Sequence, residues 1–433
     1  LFTLFKAHIR QNFPFLKEKK SLVALSGGVD SIVLAHLLHR LKVEFAAAHC
    51  NFKLRGKEAD EDEYFCKNCA EKFNIPFYFI AFDTKKYAKT NKMSIQMAAR
   101  KLRYDWLKKV RKEKGYDFLL TAHHANDNLE TFLINLSRGT GLKGLTGISP
   151  NKNQVLRPML AFSKAHIRQY AIENQLVWRE DTSNQKTEYL RNRIRLKIIP
   201  ELEKTQERFL HNFQQTLSYL NEYDELIHHV LEEKKNRIII KKAPGEIQFD
   251  AGELLSLNPI KAYLHLIFSP YGFYETNDLL NVLKSLSGKQ LINERYRLVK
   301  SRNTLFLIEN KPLLQQECII ESKDLIQNTL NLTKFVSCLP FYVEKQVKVD
   351  KEKLIFPLRL GKKVCGDVFY PLGMRGKKKV SKFFKDQKLA IHQKEQVWLL
   401  ENGDKKIIWI VGMRLDHRFK VNHYTQAIVT INI

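Results

Sequence analysis

The chain has 433 residues, too many for a single compact core, and its 44% hydrophobic and 27% charged residues are the balance of a folded rather than a disordered protein. Lys and Arg number 73 against 46 Asp and Glu, giving a formal charge of +27 and a pI near 9.7. That excess favours a polyanionic partner, because basic side chains release counterions when they neutralise phosphates. No apolar run of about 18 residues occurs, so no membrane partner is expected. The stretch LFTLFKAHIRQNFPF mixes charge into its apolar positions, which argues against a signal peptide.

In chain order, SLVAL (21–25) reads as a strand, and the apolar SIVLAHLLHRL that follows Gly27 and Gly28 reads as a helix packed on a sheet. VEFAAAH (43–49) is the next strand, 57–73 an amphipathic helix, and FYFIAF (77–82) a third strand. A long helical pattern over 94–114 stops at Gly115, DFLLTA leads into His123, and another helix begins near Asn126. Strands alternating with helices of this length predict an α/β fold with a doubly wound parallel sheet over residues 1–205. Ligands of such sheets sit beyond the carboxyl ends of the strands, where Ser26 and His123 fall.

From Glu201 to Asn236 the chain is polar and helical, with Phe209, Phe213, Leu217, Leu220 and Tyr223 at three- and four-residue spacing. This opens a helical middle domain over 206–310. After a boundary in 311–345, the short β-type runs IIWIVGM and AIVTINI predict a small α+β end domain over 346–433.

Six cysteines (Cys50, Cys66, Cys69, Cys318, Cys338 and Cys365) are too sparse for a disulfide framework and read as reduced thiols of a cytoplasmic protein. The lone pair Cys66 and Cys69 lacks the two further ligands of a tetrahedral zinc site, so packing on the 57–73 helix is the simpler reading. His123 and His124 likewise have no third ligand in sequence.

The strongest chemical signal is Ser26-Gly27-Gly28-Val29-Asp30-Ser31, between a strand and a helix. Two glycines allow close approach to a phosphate, the helix start offers unpaired N–H groups, and Asp30 beside a phosphate calls for a cation such as Mg²⁺. The chain contains neither a Walker-type nor a dinucleotide-binding glycine pattern. Asp127 and Glu130, three apart, share one helix face and could orient an amine, hold a metal or accept a proton. Arg100 and Arg103 share another face and could stabilise a leaving pyrophosphate. Arg191, Arg193 and Arg195 form one basic cluster. The run RGKKKVSKFFKDQK, with Lys377, Lys378, Lys379 and Lys382, forms another, in which Phe383 and Phe384 could serve as stacking faces for unpaired bases.

SGGVDS resembles the PP-loop of the N-type ATP pyrophosphatases, a group with an adenine nucleotide alpha hydrolase-like fold. Further segments narrow the resemblance to the tRNA(Ile)-lysidine synthetases: HCNFKLRG (49–56), with Phe52 where the family commonly has His; ARKLRY (99–104); and TAHHANDNLET (121–131), with Asn126 and Asn128 as departures. Arg138-Gly139-Thr140-Gly141, Arg157-Pro158, Asp181-Thr182-Ser183-Asn184 and Arg191-Asn192-Arg193 continue it. The likeness is dense over about the first 200 residues and loose beyond.

The resemblance implies that ATP, with Mg²⁺ at Asp30, adenylates the C2 oxygen of the wobble cytidine of a tRNA(Ile) bearing CAU, and that free L-lysine displaces AMP to form lysidine. It also implies ATP contacts from residues 26–31, catalytic roles for Asp30, Arg100, Arg103, His123, Asp127 and Glu130, and tRNA contacts from the two basic clusters. A PP-loop tRNA thiolase and an inactive RNA-binding PP-loop protein are the alternative readings. Oligomeric state is left open, with a homodimer among the options.

Overall fold

The fold is that of a computed structural model describing residues 1–180, 190–310, 317–334, 345–364, 366–374 and 376–433. Asp181-Thr182-Ser183-Asn184, Cys338, Cys365 and Arg375 lie outside the described residues. The chain divides into two compact units, Leu1–His228 and His229–Ile433.

The first unit is built on six strands: β1 (Ser21–Ala24), β2 (Phe45–Asn51), β3 (Phe77–Ala81), β4 (Phe118–Leu120), β5 (Asn151–Lys152) and β6 (Val155–Leu156). Their order is β3-β2-β1-β4-β6-β5; all neighbours are parallel except β5, which runs antiparallel to β6. The helices are α1 (Phe2–Asn12), α2 (Val29–Arg40), α3 (Lys57–Lys72), α4 (Thr84–Thr90), α5 (Ile95–Glu113), α6 (Ala125–Ser137), α7 (Leu142–Leu145), α8 (Lys164–Glu173), α9 (Leu190–Arg193) and α10 (Ile199–Thr205).

Strand alternation divides the apolar side chains between the two sheet faces. Val23, Leu25, Phe45, Ala47, Leu120 and Leu156 pack with residues of α1, α2, α3 and α8 in one core. Leu22, Ala46, Ala48, Leu119 and Val155 pack with Leu107 and Val110 of α5 in the other. Each large side chain so buried contributes roughly 1.5–3 kcal/mol. The sheet is therefore wound on both faces, as the sequence pattern predicts, and β5 makes it mixed rather than wholly parallel. Ser94 caps α5 by accepting the Met97 N–H. The helix ends at Glu113, and just beyond its cap Gly115 turns with φ of 73°, the left-handed geometry that glycine adopts without strain.

The boundary between the units falls within α11 (Phe209–Ile238). In the second unit α12 (Ala251–Ser256), α13 (Ile260–Phe268) and α14 (Thr276–Lys284) supply the helical middle region. Beside them stands a five-stranded antiparallel sheet that the sequence reading did not foresee, formed by Ile239–Ala243, Glu246–Asp250, Gln290–Ile292, Tyr296–Ser301 and Thr304–Glu309. The C-terminal part is α+β, with Trp398–Glu401 and Ile407–Ile410 inside a five-stranded sheet and Ile428–Asn432 central to a three-stranded one.

One expectation is corrected here. Phe383 and Phe384, read as stacking faces for bases, are 2% and 0% exposed and belong to a core with Phe369 and Leu399. The helix Val380–Asp386 turns both rings inward and leaves the lysines outside.

Candidate active site

The loop between β1 and α2 closes on itself through two serines. Ser31 Oγ donates to the Gly28 carbonyl (3.0 Å), accepts the Ser26 N–H (3.2 Å), and lies 3.2 Å from Ser26 Oγ. Gly27 turns with φ of 85°, and a Cβ there would stand 3.3 Å from Cys66 Sγ beneath it. Among the described residues no side chain caps α2, so its first N–H groups remain available to an anion.

A cavity of about 890 Å³ opens over this loop; Ser26, Asp30, Arg103, His123, Asp127 and Lys164 are among the residues lining it. The sheet topology brings them together, since β1, β2 and β4 are adjacent and all deliver their carboxyl ends here. Phe52 also lines the cavity, its ring stacked on Phe82 at 6.0 Å. The two candidate arginines separate: Arg103 is half-buried in the cavity wall, whereas Arg100 is exposed outside it, and both guanidiniums lie about 5 Å from the Tyr104 ring.

His123 lies against Thr121, with Nδ1 2.9 Å from Oγ1, and burial pushes its pKa down to about 4, so the ring is neutral at physiological pH. His124 begins α6. Its backbone N–H donates to Asp127 Oδ2 (3.0 Å), and its Nε2 stands 3.5 Å from that oxygen and 3.8 Å from Asp30 Oδ1. Burial works against the charge of Asp127, but the imidazole of His124 and the guanidinium of Arg191 more than offset it and hold the carboxyl below the usual carboxylate range.

Glu130 is fully buried behind Asp127 and receives two of the three clustered arginines. Arg191 donates through Nε to Glu130 Oε2 (2.5 Å) and through Nη2 to Asp127 Oδ1 (2.9 Å). Arg195 donates to both Glu130 oxygens, at 2.5 and 3.1 Å. Four residues apart, these two share a face of the 190–198 helical segment; Arg193 points away and is exposed. Arg191 and Arg195, grouped by sequence with the tRNA contacts, are thus engaged with carboxylates. In the end domain Lys377, Lys379 and Lys382 are exposed, whereas Lys378 is 18% exposed and pairs with Asp386 at 2.7 Å.

The departures Asn126 and Asn128 both work as acceptors, Asn126 for the Lys164 N–H (2.9 Å) and Asn128 for the Ile148 N–H (2.5 Å). Lys164 and Arg179 are among the cavity residues that sequence reasoning missed. Lys164 Nζ lies 2.7 Å from each oxygen of Asp30. Arg179 donates its N–H to the Gly27 carbonyl (2.9 Å) and its side chain to Asp62 and Glu61. Neither stands in a motif; each reaches the loop across more than a hundred residues.

Among the described residues no group of three or more His, Cys, Asp and Glu side chains is placed to hold a metal. Asp30 nonetheless fits magnesium, which usually takes one or two protein carboxylates and completes its shell with substrate phosphates and water. The lone CxxC is packing: Cys66 is buried, and burial raises the pKa of both its thiol and that of Cys69. Among the described residues no helix is long and apolar enough to cross a membrane.

The PP-loop domain family matches residues 3–202, the TilS substrate binding domain 242–311, and the TilS substrate C-terminal domain 358–431. The chain is 35% identical to the tRNA(Ile)-lysidine synthase of Bacteroides thetaiotaomicron, covering 98% of each, and 34% identical to that of Parabacteroides distasonis, covering 96% of each. Among solved structures, the U34-tRNA thiolase NcsA from Methanococcus maripaludis is similar at 20% identity and a TM-score of 0.42, over 50% of this chain and 79% of that one, a likeness too slight to bear on function. A glycine turn built for a phosphate, three domain matches in order and relatives aligned over nearly their whole length agree: the chain belongs to the tRNA(Ile)-lysidine synthase family.

Proposed function

We propose that this protein is an ATP-consuming ligase that joins the side-chain amine of L-lysine to C2 of the wobble cytidine in a tRNA(Ile) bearing CAU. The observation that carries the reading is the single cavity in which the phosphate-type loop, Arg103, His123 and Asp127 face one another. In the first step the cytidine C2 oxygen attacks the α-phosphate of ATP and pyrophosphate leaves. The loop N–H groups and the start of α2 receive phosphate oxygens, and Arg103 balances the charge that grows on the leaving group. Magnesium at Asp30 would supply charge neutralisation for the polyphosphate.

In the second step the lysine amine attacks C2 and AMP departs. A side-chain amine with a pKa of about 10.4 is almost wholly protonated near neutral pH, so a base must take its proton. Asp127, in the cavity wall and held ionised, suits binding and orienting that ammonium; a carboxyl this acidic passes the proton on rather than keeping it. Glu130 lies behind it and can meet an ammonium only when Arg191 or Arg195 withdraws. His123, neutral, is suited to a hydrogen bond with the base or phosphate rather than to charge pairing. Of the cations grouped with tRNA contacts by sequence, Arg193, Lys377, Lys379 and Lys382 are exposed, which supports their meeting tRNA phosphates. Burial raises the thiols, Cys50 up to about 12, which speaks against a sulfur-transfer role; cysteines this sparse support a reducing, cytoplasmic setting.

The test is incubation with ATP, labelled lysine and total tRNA, followed by mass spectrometry of the nucleosides. A lysine-sized adduct on cytidine is expected. A sulfur-for-oxygen change would mean a thiolase, and no change together with no tRNA-dependent ATP–pyrophosphate exchange would mean an inactive RNA-binding protein.

A further inference from the structure

Lys164 takes no part in the reaction outlined above, yet it sits at its centre. It is the first residue of α8, with Ser163 capping the helix and its own N–H fixed by Asn126 Oδ1. The base of the side chain is thereby pinned beside the first turn of α6, while the four-carbon stem stays free to turn. Nζ rests 2.7 Å from both oxygens of Asp30, and the side chain is 41% exposed where it lines the cavity. His124, 3.8 Å from the same acid, is buried and cannot follow a ligand into the cavity. Asp30 therefore already has a cation on it, and a second cation arriving at the carboxylate must compete with this one.

We propose that Lys164 is a positioning residue for the ATP step: its ammonium holds the place of the divalent cation on Asp30 in the free protein. When that cation arrives with the nucleotide, the ammonium turns onto the phosphates. A divalent ion on a single carboxylate leaves net positive charge that repels Nζ, while the incoming polyphosphate attracts it, so one swap serves both groups. Lysine suits the task because its charge is a compact point on a flexible stem, whereas the planar fork of arginine would stay locked on the carboxylate. The inference rests on the reading of residues 26–31 as the ATP loop.

The experiment uses the full chain in two titrations: Mn²⁺ without nucleotide, followed by electron paramagnetic resonance, and α,β-methylene-ATP with Mg²⁺, followed by calorimetry. Lys164→Met should bind Mn²⁺ roughly two- to fivefold more tightly, the range of a partly exposed ion pair removed from competition. It should bind the nucleotide analogue about tenfold more weakly, having lost a charge-assisted hydrogen bond. Lys164→Arg, gripping Asp30 with two bonds, should shift Mn²⁺ binding the opposite way, so the proposal stays testable if the Met variant folds poorly. Unchanged Mn²⁺ affinity in Lys164→Met overturns the proposal, and so does tighter Mn²⁺ with undiminished nucleotide binding. Failure of the unsubstituted protein to bind the analogue would instead overturn the ATP reading itself.

Discussion

Removing Arg191 and Arg195 tests what the buried acid behind the cavity requires of its partners. The Glu130 side chain is 1% exposed, and its two oxygens accept three guanidinium hydrogen bonds. The arginine side chains are 39% and 35% exposed, so either can rehydrate when the acid is lost, but the acid cannot rehydrate when they are. Arg191→Ala or Arg195→Ala alone leaves Glu130 one cationic partner and should cost about 1–2 kcal/mol after discounting for solvent. The double variant leaves a buried carboxylate with none and should cost about 3–5 kcal/mol, exceeding the sum of the singles by about 1 kcal/mol. With two compact units a global melt is not a single transition, so the local readout is hydrogen exchange of the α6 amides by mass spectrometry. Protection in the double variant should fall by a factor of about a hundred to a few thousand. Glu201→Gln, which breaks an exposed pair with Lys204, is the control and should stay within about 0.5 kcal/mol. Strict additivity, or a double variant costing under about 1 kcal/mol, would show that Glu130 finds water and refute the argument.

Neutralising Lys377, Lys379 and Lys382 together should weaken tRNA binding and reduce the slope of log affinity against log salt by roughly 0.7–0.9 per lost contact, whereas Lys378→Gln, already paired with Asp386, should leave the slope unchanged. The His123 pKa, depressed from 6.5 to about 4, means the unfolded chain binds the extra proton. Stability should therefore fall as pH drops from about 6.5 towards 4, by at most about 3 kcal/mol from this group. His123→Asn should flatten the pH dependence of protection of the α6 amides across that window, after correction for intrinsic exchange rates, and an unaltered dependence would contradict the assignment. Cys66→Ser/Cys69→Ser should retain nucleoside modification in the mass-spectrometric assay, while Asp127→Asn should lose it; dependence on the two thiols would point to sulfur chemistry instead.

The parallel strands were legible because Leu22, Val23 and Leu25, Phe45–Ala48 and Leu119–Leu120 are buried on both faces and so read as unbroken apolar runs. The phosphate loop was legible because its chemistry lies in six consecutive residues. Lys164 and Arg179 were not, since each acquires its role only when the sheet folds and carries it to the loop. The burial of Glu130 was hidden for the same reason, its partners lying more than sixty residues away. The middle sheet did leave a signal: YRLVKS and TLFLIE flank the two-residue turn Arg302-Asn303 and pair as a hairpin, but the helical stretches around them dominated the reading. Phe383 and Phe384 misled because a basic run with aromatics looks alike whether the rings face a nucleic acid or a core.

The strand order also sets a timetable for synthesis. β1 is central and pairs on one side with β2, which follows closely in sequence, and on the other with β4; at its foot the Lys20 N–H meets the Asp117 side chain across 97 residues. At about 5–20 residues per second, that second neighbour leaves the ribosome on the order of 5–20 s after the first strand is made. During that interval the β4-facing edge of an apolar strand is open, and any strand-like segment emerging nearby competes for it. The growing chain is thus most open to mispairing before α6 has been translated, and helper proteins that shield nascent strands would act on this half of the molecule first.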